Sequence, residues 1–489
     1  MKAETEGNQA KTIFLAASNG FEARYLFRSS LFHELKNAGL RLVLLVPNPE
    51  EEYLKKEFKA SNIFIERLDI DRADRYLSRS RLQRIARVVR SYSLNPKGGS
   101  TFLDDKTNTR IEKRKNKIYQ TLVDLSIWGM RHSRLLRRGL VAAESNIFRP
   151  SFHKPLFDKY KPSLVITPSP GYQPAETFLL REAKHHKVKT VVVLTGWDSS
   201  TSRGLEGAQP DGIVVWSQVM KEEMVRLHNL PVHKIFVGGV PPFDIYFPGN
   251  NTIPREELFE KYGLDKKRKL LVFGTKSPAT YPHQYLMEVL AKAIQDERFL
   301  YPCQLLVRLH PLHIRPDFAH SPAMSRVMEQ YQALKESCPF IFYSTPSILS
   351  HKLKMDLPWS EMTEMATLLK HCDVLVTLYS TIVVEASLCD TPIVNVNFDP
   401  PSEYGNGFFP YRSIEVDQKQ PQNLRILNSG GSRVAYSEEQ LIDAINEYLR
   451  DPSSRQEGRR RIVQQECGPT DGLAGRRVAQ YIMSFIGKS

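Results

Sequence analysis

The segment Cys372 to Asp399, CDVLVTLYSTIVVEASLCDTPIVNVNFD, narrows the fold more than any other stretch of this chain. Asp373 to Leu378 is a short apolar run rich in β-branched residues, Ser380 to Cys389 has helical spacing, and Pro392 to Phe398 is a second apolar run. Two such runs joined by one helix predict a parallel strand pair. The spacing puts Ser380 at the helix N-cap, where the hydroxyls of Ser380 and Thr381 and the unpaired first-turn N–H groups make a turn suited to an anion. Glu385 falls four residues after Thr381, on the same face and one turn deeper, where a carboxylate can accept hydrogen bonds from vicinal hydroxyls such as those of a ribose. A plain helix cap and a solvated carboxylate remain the alternative for this motif taken by itself.

Asp373, Ser380, Thr381, Glu385, Ala386 and Pro392 resemble the DxxxxxxSTxxxEAxxxxxPxV pattern in the donor-binding half of GT-B glycosyltransferases, which is shared with the nonhydrolysing UDP-sugar 2-epimerases. The resemblance implies that Ser380 and Thr381 hold a donor diphosphate and that Glu385 holds its ribose. One departure is Asp390, where the pattern usually has Gly; Asp tolerates the left-handed conformation better than most residues, so the helix stop is expected to survive.

A length of 489 residues, 41% hydrophobic and 25% charged, is ordinary for two or three globular domains. No run of 18 apolar residues is present, and MKAETEGNQAK has no signal-peptide core, so a cytoplasmic protein is expected. Five cysteines without C-x-x-C spacing, all in the second half, fit reduced core thiols better than disulfides or zinc.

At the other end, a strand Thr12 to Ala17, a turn at Ser18, Asn19 and Gly20, a helix from Phe21 to Asn37 and a strand Arg41 to Val46 read as a βαβ unit. The glycine turn is where backbone can meet a ligand, here an acceptor at Asn19 and Gly20, with Glu22 close by. Further strands are expected at Ser163 to Thr167, Thr190 to Leu194, Gly212 to Trp216 and Lys234 to Val237. The loop Thr195 to Gly204 follows a strand end and carries Trp197, Asp198 and several hydroxyls, a composition that resembles a sugar-contacting loop. Asp198 or Glu22 is expected to act as general base, with Trp197 on the acceptor. An Asp-initiated, hydroxyl-rich turn is the alternative for Asp198.

Between these strands the chain changes character. From Arg72 to Arg138 it carries eighteen basic side chains against five acidic ones, nearly the whole formal charge of +14. Leu82, Ile85, Val88 and Val89, and later Leu122, Leu125, Ile127, Trp128 and Met130, set apolar faces beside cationic ones, which predicts contact with an anionic membrane surface, with a solvated helical insertion as the alternative. Nucleic acid is the less favoured partner, since no nucleic-acid motif accompanies the charge. Asn95 to Asn108 reads as a loop. Asp69-Ile70-Asp71 spells a DxD, a weak signal by itself.

Gly238 to Asp244 resembles the GxPxxD segment at the GT-B hinge, with Gly249-Asn250-Asn251 as linker. Strands at Lys269 to Phe273 and Gln304 to Leu309 are followed by Thr275-Lys276 and by His310-Pro311. Val307-Arg308-Leu309-His310-Pro311 resembles the (K/R)xHP motif of CDP-glycerol glycerophosphotransferases, which implies that Arg308 and His310 meet donor phosphates; Thr275 and Lys276, in a loop after a strand on the same edge as Ser380, are expected to join them. Gly468 to Phe485 resembles the DGxAxxRVAxxI close of the same chains.

The expected architecture is therefore α/β, a GT-B pair of Rossmann-like doubly wound domains facing across a cleft: 1–245 with a basic helical insertion at about 72–150, 252–460, and a C-terminal helix in 471–489 packing at the domain junction. The expected reaction is transfer of a sugar from a nucleotide-diphosphate sugar to a glycan or lipid-linked acceptor, metal-independent and without cofactor. No E-x7-E spacing ends at Glu385, so inversion is favoured over retention. A glycerophosphotransferase, a UDP-sugar 2-epimerase and a non-catalytic nucleotide-binding scaffold stay open as alternatives.

Overall fold

The computed structural model describes residues 10–94, 117–247, 252–278, 281–315, 321–350, 352–405 and 413–487. They divide into two compact units, one holding the described residues up to Pro241 together with Leu473 onward, the other running from Pro242 to Gly472.

The first unit is built on seven parallel strands: β1 (Thr12–Ala16), β2 (Arg41–Val46), β3 (Ile63–Arg67), β4 (Leu164–Thr167), β5 (Lys189–Val193), β6 (Gly212–Val215) and β7 (Ile235–Val237). Their order is β3-β2-β1-β4-β5-β6-β7. β1 pairs with β2 through Ile13↔Leu42 and with β4 through Ile13↔Leu164, so strand order reverses between β1 and β4. Phe14, Val43, Val165 and Phe178 form the centre of one fully buried core cluster, as expected for strands covered on both faces. The helix expected over 21–37 is two helices, Gly20–Phe27 and Ser30–Asn37. The break comes where the Ser29 hydroxyl donates back to the Tyr25 carbonyl (2.6 Å), a local bond that competes with helix continuation.

The terminal helix Ala474–Ser484 belongs to this unit. Gly475 permits it: a Cβ there would lie 2.2 Å from Ser30 Oγ and 2.5 Å from Leu31 N. Tyr481 stacks on Phe236 at 4.3 Å, and Arg477 Nε donates to the Gly238 carbonyl (3.1 Å).

The basic insertion between β3 and β4 folds as helices Ile70–Arg79, Arg81–Ser91, Lys117–His132 and Arg134–Ile147. Asp69 of the DxD caps the first of these through the Arg72 N–H (3.0 Å). Val89, Val123 and Ile127 give the group a small core of its own. Several of the cations counted in the basic excess are interior anchors and take no part in a cationic face. Arg90 is buried, with Nε on Glu144 (3.0 Å) and Nη1 on the Leu205 carbonyl (2.9 Å); Arg137 is buried too. Arg72 lies over Phe152 and Arg81 over Tyr119. The expected loop at 95–108 and the basic residues Lys113, Arg114 and Lys115 lie outside the described residues, as does the expected Gly249–Asn251 linker. Among the described residues no helix is long and apolar enough to cross a membrane.

The second unit has six parallel strands, β8 (Lys269–Gly274), β9 (Cys303–Arg308), β10 (Ile341–Ser344), β11 (Val374–Thr377), β12 (Ile393–Val396) and β13 (Arg433–Ala435), in the order β10-β9-β8-β11-β12-β13. Order here reverses between β8 and β11. β11, the helix Ile382–Leu388 and β12 form the expected strand, helix and strand unit, and Asp390 ends it at φ +56°, held by Arg459 Nε (2.7 Å). The helix starts later than expected. Thr381, not Ser380, is its first flanking residue, and neither hydroxyl caps it, because the carbonyls of Ser380 and Thr381 take the first N–H groups. All five cysteines are free.

Candidate functional site

In an open parallel sheet, ligands bind beyond the carboxyl ends of the strands where the order reverses. In the second unit that place lies between β8 and β11, with β9 next to β8. The loops after these three strands carry Thr275 and Lys276, His310, and Ser380 and Thr381. They are tied together. The Thr275 hydroxyl receives the His310 N–H (2.8 Å) and donates to the Arg308 carbonyl (3.2 Å), while the Thr377 hydroxyl donates to the Gly274 carbonyl (2.9 Å). Gly274 lets the helix close on this edge, since a Cβ would lie 2.9 Å from Ile382 Cδ1.

His310 is oriented by its own turn. The Leu312 N–H donates to His310 Nδ1 (3.2 Å), so a neutral ring carries its proton on Nε2 and presents a donor there. Lys276 gives its N–H to His283 Nε2 (2.9 Å) and its ammonium to Asp417 (2.5 Å). Glu385, half-buried, accepts the hydroxyl of Tyr246.

Arg308 is placed differently from its expected role. The residue is buried, 5% exposed. Nη1 donates to Ser344 Oγ (2.7 Å) and Glu364 (3.1 Å), and Nη2 to Glu361. The fork expected on donor phosphate is thus filled by two carboxylates of the helix Trp359–His371, spaced so that both face β9. Burial alone would raise the Glu364 carboxyl, but hydrogen bonds from Lys261 and Tyr262 and the Arg308 charge bring it below its usual value. Arg308 therefore positions the β9 end and the His310 turn rather than reaching outward.

Sequence reasoning missed His283 and His313, which stand behind this turn with rings 5.7 Å apart. Both are buried, and burial lowers them, His313 to about 4 and His283 well below its ordinary value with the neighbouring His313 and His310 adding to the effect. They are neutral spacers that fix the Lys276 N–H and the His310 carbonyl (His313 Nδ1, 3.1 Å). Their only sequence signal is the H-P-L-H spacing and a His opening the helix His283–Gln295.

The reversal point of the first unit lies between β1 and β4, and there the structure brings together two carboxylates. Ser18 donates its N–H and its hydroxyl to Glu22 Oε2 (both 2.7 Å), and the same hydroxyl lies 3.3 Å from Glu176 Oε1. The Ser169 hydroxyl donates to the other oxygen of Glu176. Burial raises both carboxyls, Glu176 most strongly, with the nearby Glu22 charge as the second cause. The Ser18 hydroxyl bridges the two carboxyls, and the nearby charge of Glu22 disfavours ionisation of Glu176. Glu176 was not singled out from sequence because a Glu in the first turn of a helix, here Pro174–His185, reads as a dipole partner.

Asn19 beside them serves as the N-cap of Gly20–Phe27, accepting the Glu22 N–H (3.1 Å). Gly20 is the buried first residue of that helix. One strand over, Asp198 is half-buried and accepts the Ser202 hydroxyl (2.5 Å), which makes it the anchor of a short hydroxyl-rich turn. Trp197 is buried, 7% exposed, so its ring is not laid open as an acceptor platform.

The model of the family CDP-glycerol:poly(glycerophosphate) glycerophosphotransferase matches residues 140–484. No curated protein matches the sequence. Among solved structures, a glycosyltransferase from Rickettsia africae ESF-5 is similar at 13% identity and TM-score 0.51, covering 98% of this chain and 100% of its own. The S. aureus MnaA–UDP co-structure is similar at 12% identity and TM-score 0.53, over 97% of each chain. The UDP-GlcNAc 2-epimerase of Methanocaldococcus jannaschii is similar at 11% identity and TM-score 0.51, over 97% of this chain and 100% of its own. At these identities the likeness shows the fold, two parallel-sheet α/β domains of the GT-B type.

Proposed function

We propose, on the premise that the chain belongs to the CDP-glycerol:poly(glycerophosphate) glycerophosphotransferase family, that its second unit binds a nucleoside-diphosphate-activated donor and transfers the activated group to an acceptor hydroxyl. The observation that carries this reading is the convergence of the Thr275, His310 and Ser380-Thr381 loops at the β8/β11 reversal point. The donor phosphates would take the hydroxyls of Ser380 and Thr381 and the His310 Nε2–H. Lys276 would contribute through its exchange between Asp417 and phosphate. Glu385 would exchange the Tyr246 hydroxyl for the ribose. Donors fixed in advance stabilise charge that builds on a departing phosphate more cheaply than water does.

Replacing His310 by Ala, or Ser380 and Thr381 by Ala and Val, is expected to weaken nucleoside diphosphate binding by about 1.5–3 kcal/mol for each charge-assisted hydrogen bond lost. Calorimetric titration with the diphosphate and the bare nucleoside checks this. Equal losses for both ligands would remove the phosphate assignment.

Family membership puts transfer of a polyol phosphate ahead of sugar transfer, the reverse of the order suggested by the sequence motifs alone. In the first case the acceptor oxygen attacks phosphorus and a nucleoside monophosphate leaves. In the second it attacks the anomeric carbon and a diphosphate leaves. Either reaction takes a proton from the acceptor hydroxyl, and the Glu22–Glu176 pair is the group we assign to it, ahead of Asp198, whose carboxylate is occupied by Ser202.

We assign the acceptor to a membrane surface on a second observation. The helix Lys117–His132 leaves Ile118, Leu122, Leu125 and Trp128 exposed along one side, and Leu135 follows at 81% exposure. Exposed Arg84, Arg134 and Arg138 accompany them. A bare apolar stripe next to cations suits an anionic interface, each engaged cation adding roughly 1 kcal/mol. Changing Leu122, Leu125 and Trp128 to Ser and Arg84 and Arg134 to Gln should abolish flotation with anionic liposomes without changing turnover on a soluble acceptor fragment. Unchanged flotation would sink the assignment, and tight binding of duplex or single-stranded nucleic acid in its place would replace it.

A further inference from the structure

A cavity of about 210 Å³ lies inside the first unit, away from the β1/β4 reversal point. Pro210 and Lys234 on its wall precede β6 and β7, so it opens at the amino ends of those strands, whereas Glu22 and Glu176 stand at the carboxyl ends of β1 and β4. Its wall combines the insertion helix Arg134–Ile147, the stretch ahead of β6 and the end of the helix Gln218–His228.

The lining is polar and unfinished. Arg137, Glu206, His228 and Asn229 are each more than nine-tenths buried, at 5%, 5%, 3% and 8% exposure. Each carries one buried polar atom with no hydrogen-bond partner: Arg137 Nε, Glu206 Oε2, His228 Nδ1 and Asn229 Nδ2. Buried polar atoms left alone are costly and uncommon, and four on one cavity point to something that fills it. Their remaining atoms are spoken for, which fixes what each open atom can do. His228 Nε2 donates to the Ser200 carbonyl (2.9 Å), so Nδ1 is a lone-pair acceptor. It lies 3.9 Å from Glu206 Oε2, too far for a direct bond and close enough for one oxygen to join both. Asn229 Oδ1 accepts Arg137 Nη2 (3.0 Å), which turns its amide N–H groups into the open donors. Arg138 Nη2 reaches the Asn229 carbonyl (3.4 Å) and Lys234 the Pro210 carbonyl (2.9 Å), leaving both cations on the wall.

The charges agree with the geometry. Burial keeps His228 neutral, at about 4, and pushes the Glu206 carboxyl up to about 7. Arg137, Arg138 and Lys234 then face one partly protonated acid, a net positive wall with one end that can both give and take a hydrogen bond.

We infer that this cavity is a binding site for a small anion that also carries a hydroxyl, of the polyol phosphate class, with the anionic oxygens on Arg137 Nε, Asn229 Nδ2 and the flanking cations and the hydroxyl between Glu206 and His228. The volume is sufficient, being larger than the ~150 Å³ cavity that accepts benzene. The site is independent of the donor site and of the Glu22–Glu176 pair, and it joins the insertion to the sheet, so occupancy there would order the helix that carries the exposed Leu135 and Leu136.

Calorimetric titration of the full chain with glycerol phosphate, inorganic phosphate and glycerol tests the site. Glycerol phosphate should bind more tightly than inorganic phosphate, and glycerol should give no saturable heat. Arg138→Gln and Lys234→Gln, both on the accessible part of the wall, should weaken glycerol phosphate at least tenfold, and Glu206→Ala should bring it down to the level of inorganic phosphate. His310→Ala, which removes a donor-site group, should leave the affinity unchanged. A glycerol phosphate affinity lost with His310→Ala but kept in Arg138→Gln and Lys234→Gln would place the anion in the donor site and overturn the inference. So would absence of binding, equal affinity for inorganic phosphate, or a crystal structure grown with glycerol phosphate that shows only water in the cavity.

Discussion

Arg308→Ala is expected to cost the second unit about 3–5 kcal/mol, because it strands the buried carboxylate of Glu361 and leaves Glu364 to Lys261 and Tyr262. The loss comes from desolvated charge, so substituting Arg308 and Glu361 together by Met and Leu should recover most of it. Urea denaturation of the single and double variants measures both numbers. A single variant that unfolds within ~1 kcal/mol of wild type while losing only nucleotide affinity would return Arg308 to the donor phosphates.

Glu22→Gln is expected to slow transfer by about 100- to 10,000-fold, the range spanned by general acid–base catalysis, with donor affinity unchanged. Its pair has a second, separable signature. The folded-state carboxyls titrate above their ordinary value of 4.5, so the native state holds a proton that the unfolded chain gives up sooner. Below the unfolded value this costs nothing; as pH rises past it, stability falls, and the fall ends once pH exceeds the folded values. Glu176→Gln should therefore flatten the fall in stability over the pH interval that begins above the ordinary value of 4.5, and leave the protein more stable than wild type at the alkaline end. A wild-type profile that rises over this interval, or a Gln variant with an unchanged slope, would show that the two carboxyls are not coupled through burial.

Most of the strands legible in the sequence are buried on both faces; β7, a mixed-burial edge strand, is the exception. β3, β10 and β13 were not foreseen, and each is an edge strand with mixed burial: Ile63-Phe64-Ile65-Glu66-Arg67 is half solvated, and β13 is three residues long. An edge strand needs little apolar character, so periodicity has little to register. The Ser-Thr turn, His310 and Glu385 were visible because they follow strong central strands. What side chains do once buried was not. Arg308 looked like a phosphate fork until Glu361 and Glu364, one helical turn apart, were found opposite it. Glu176 acquires meaning only through Ser18 and Glu22, far away in the chain. Arg90 and Arg137 count toward the basic excess by composition and are interior ties in the fold. Long-range pairing of polar groups has no period, and that is where reading the chain gives out.

The central claim, that the second unit presents an activated donor to an acceptor hydroxyl, is tested most directly by phosphorus NMR of the full chain incubated with CDP-glycerol and a polyol-phosphate acceptor, beside the same chain with UDP-sugars. The account predicts acceptor-dependent release of CMP with growth of a phosphodiester signal, abolished when Ser380 and Thr381 are replaced together. Bound nucleotide with no acceptor-dependent release from any donor, or release that survives that double replacement, would contradict it.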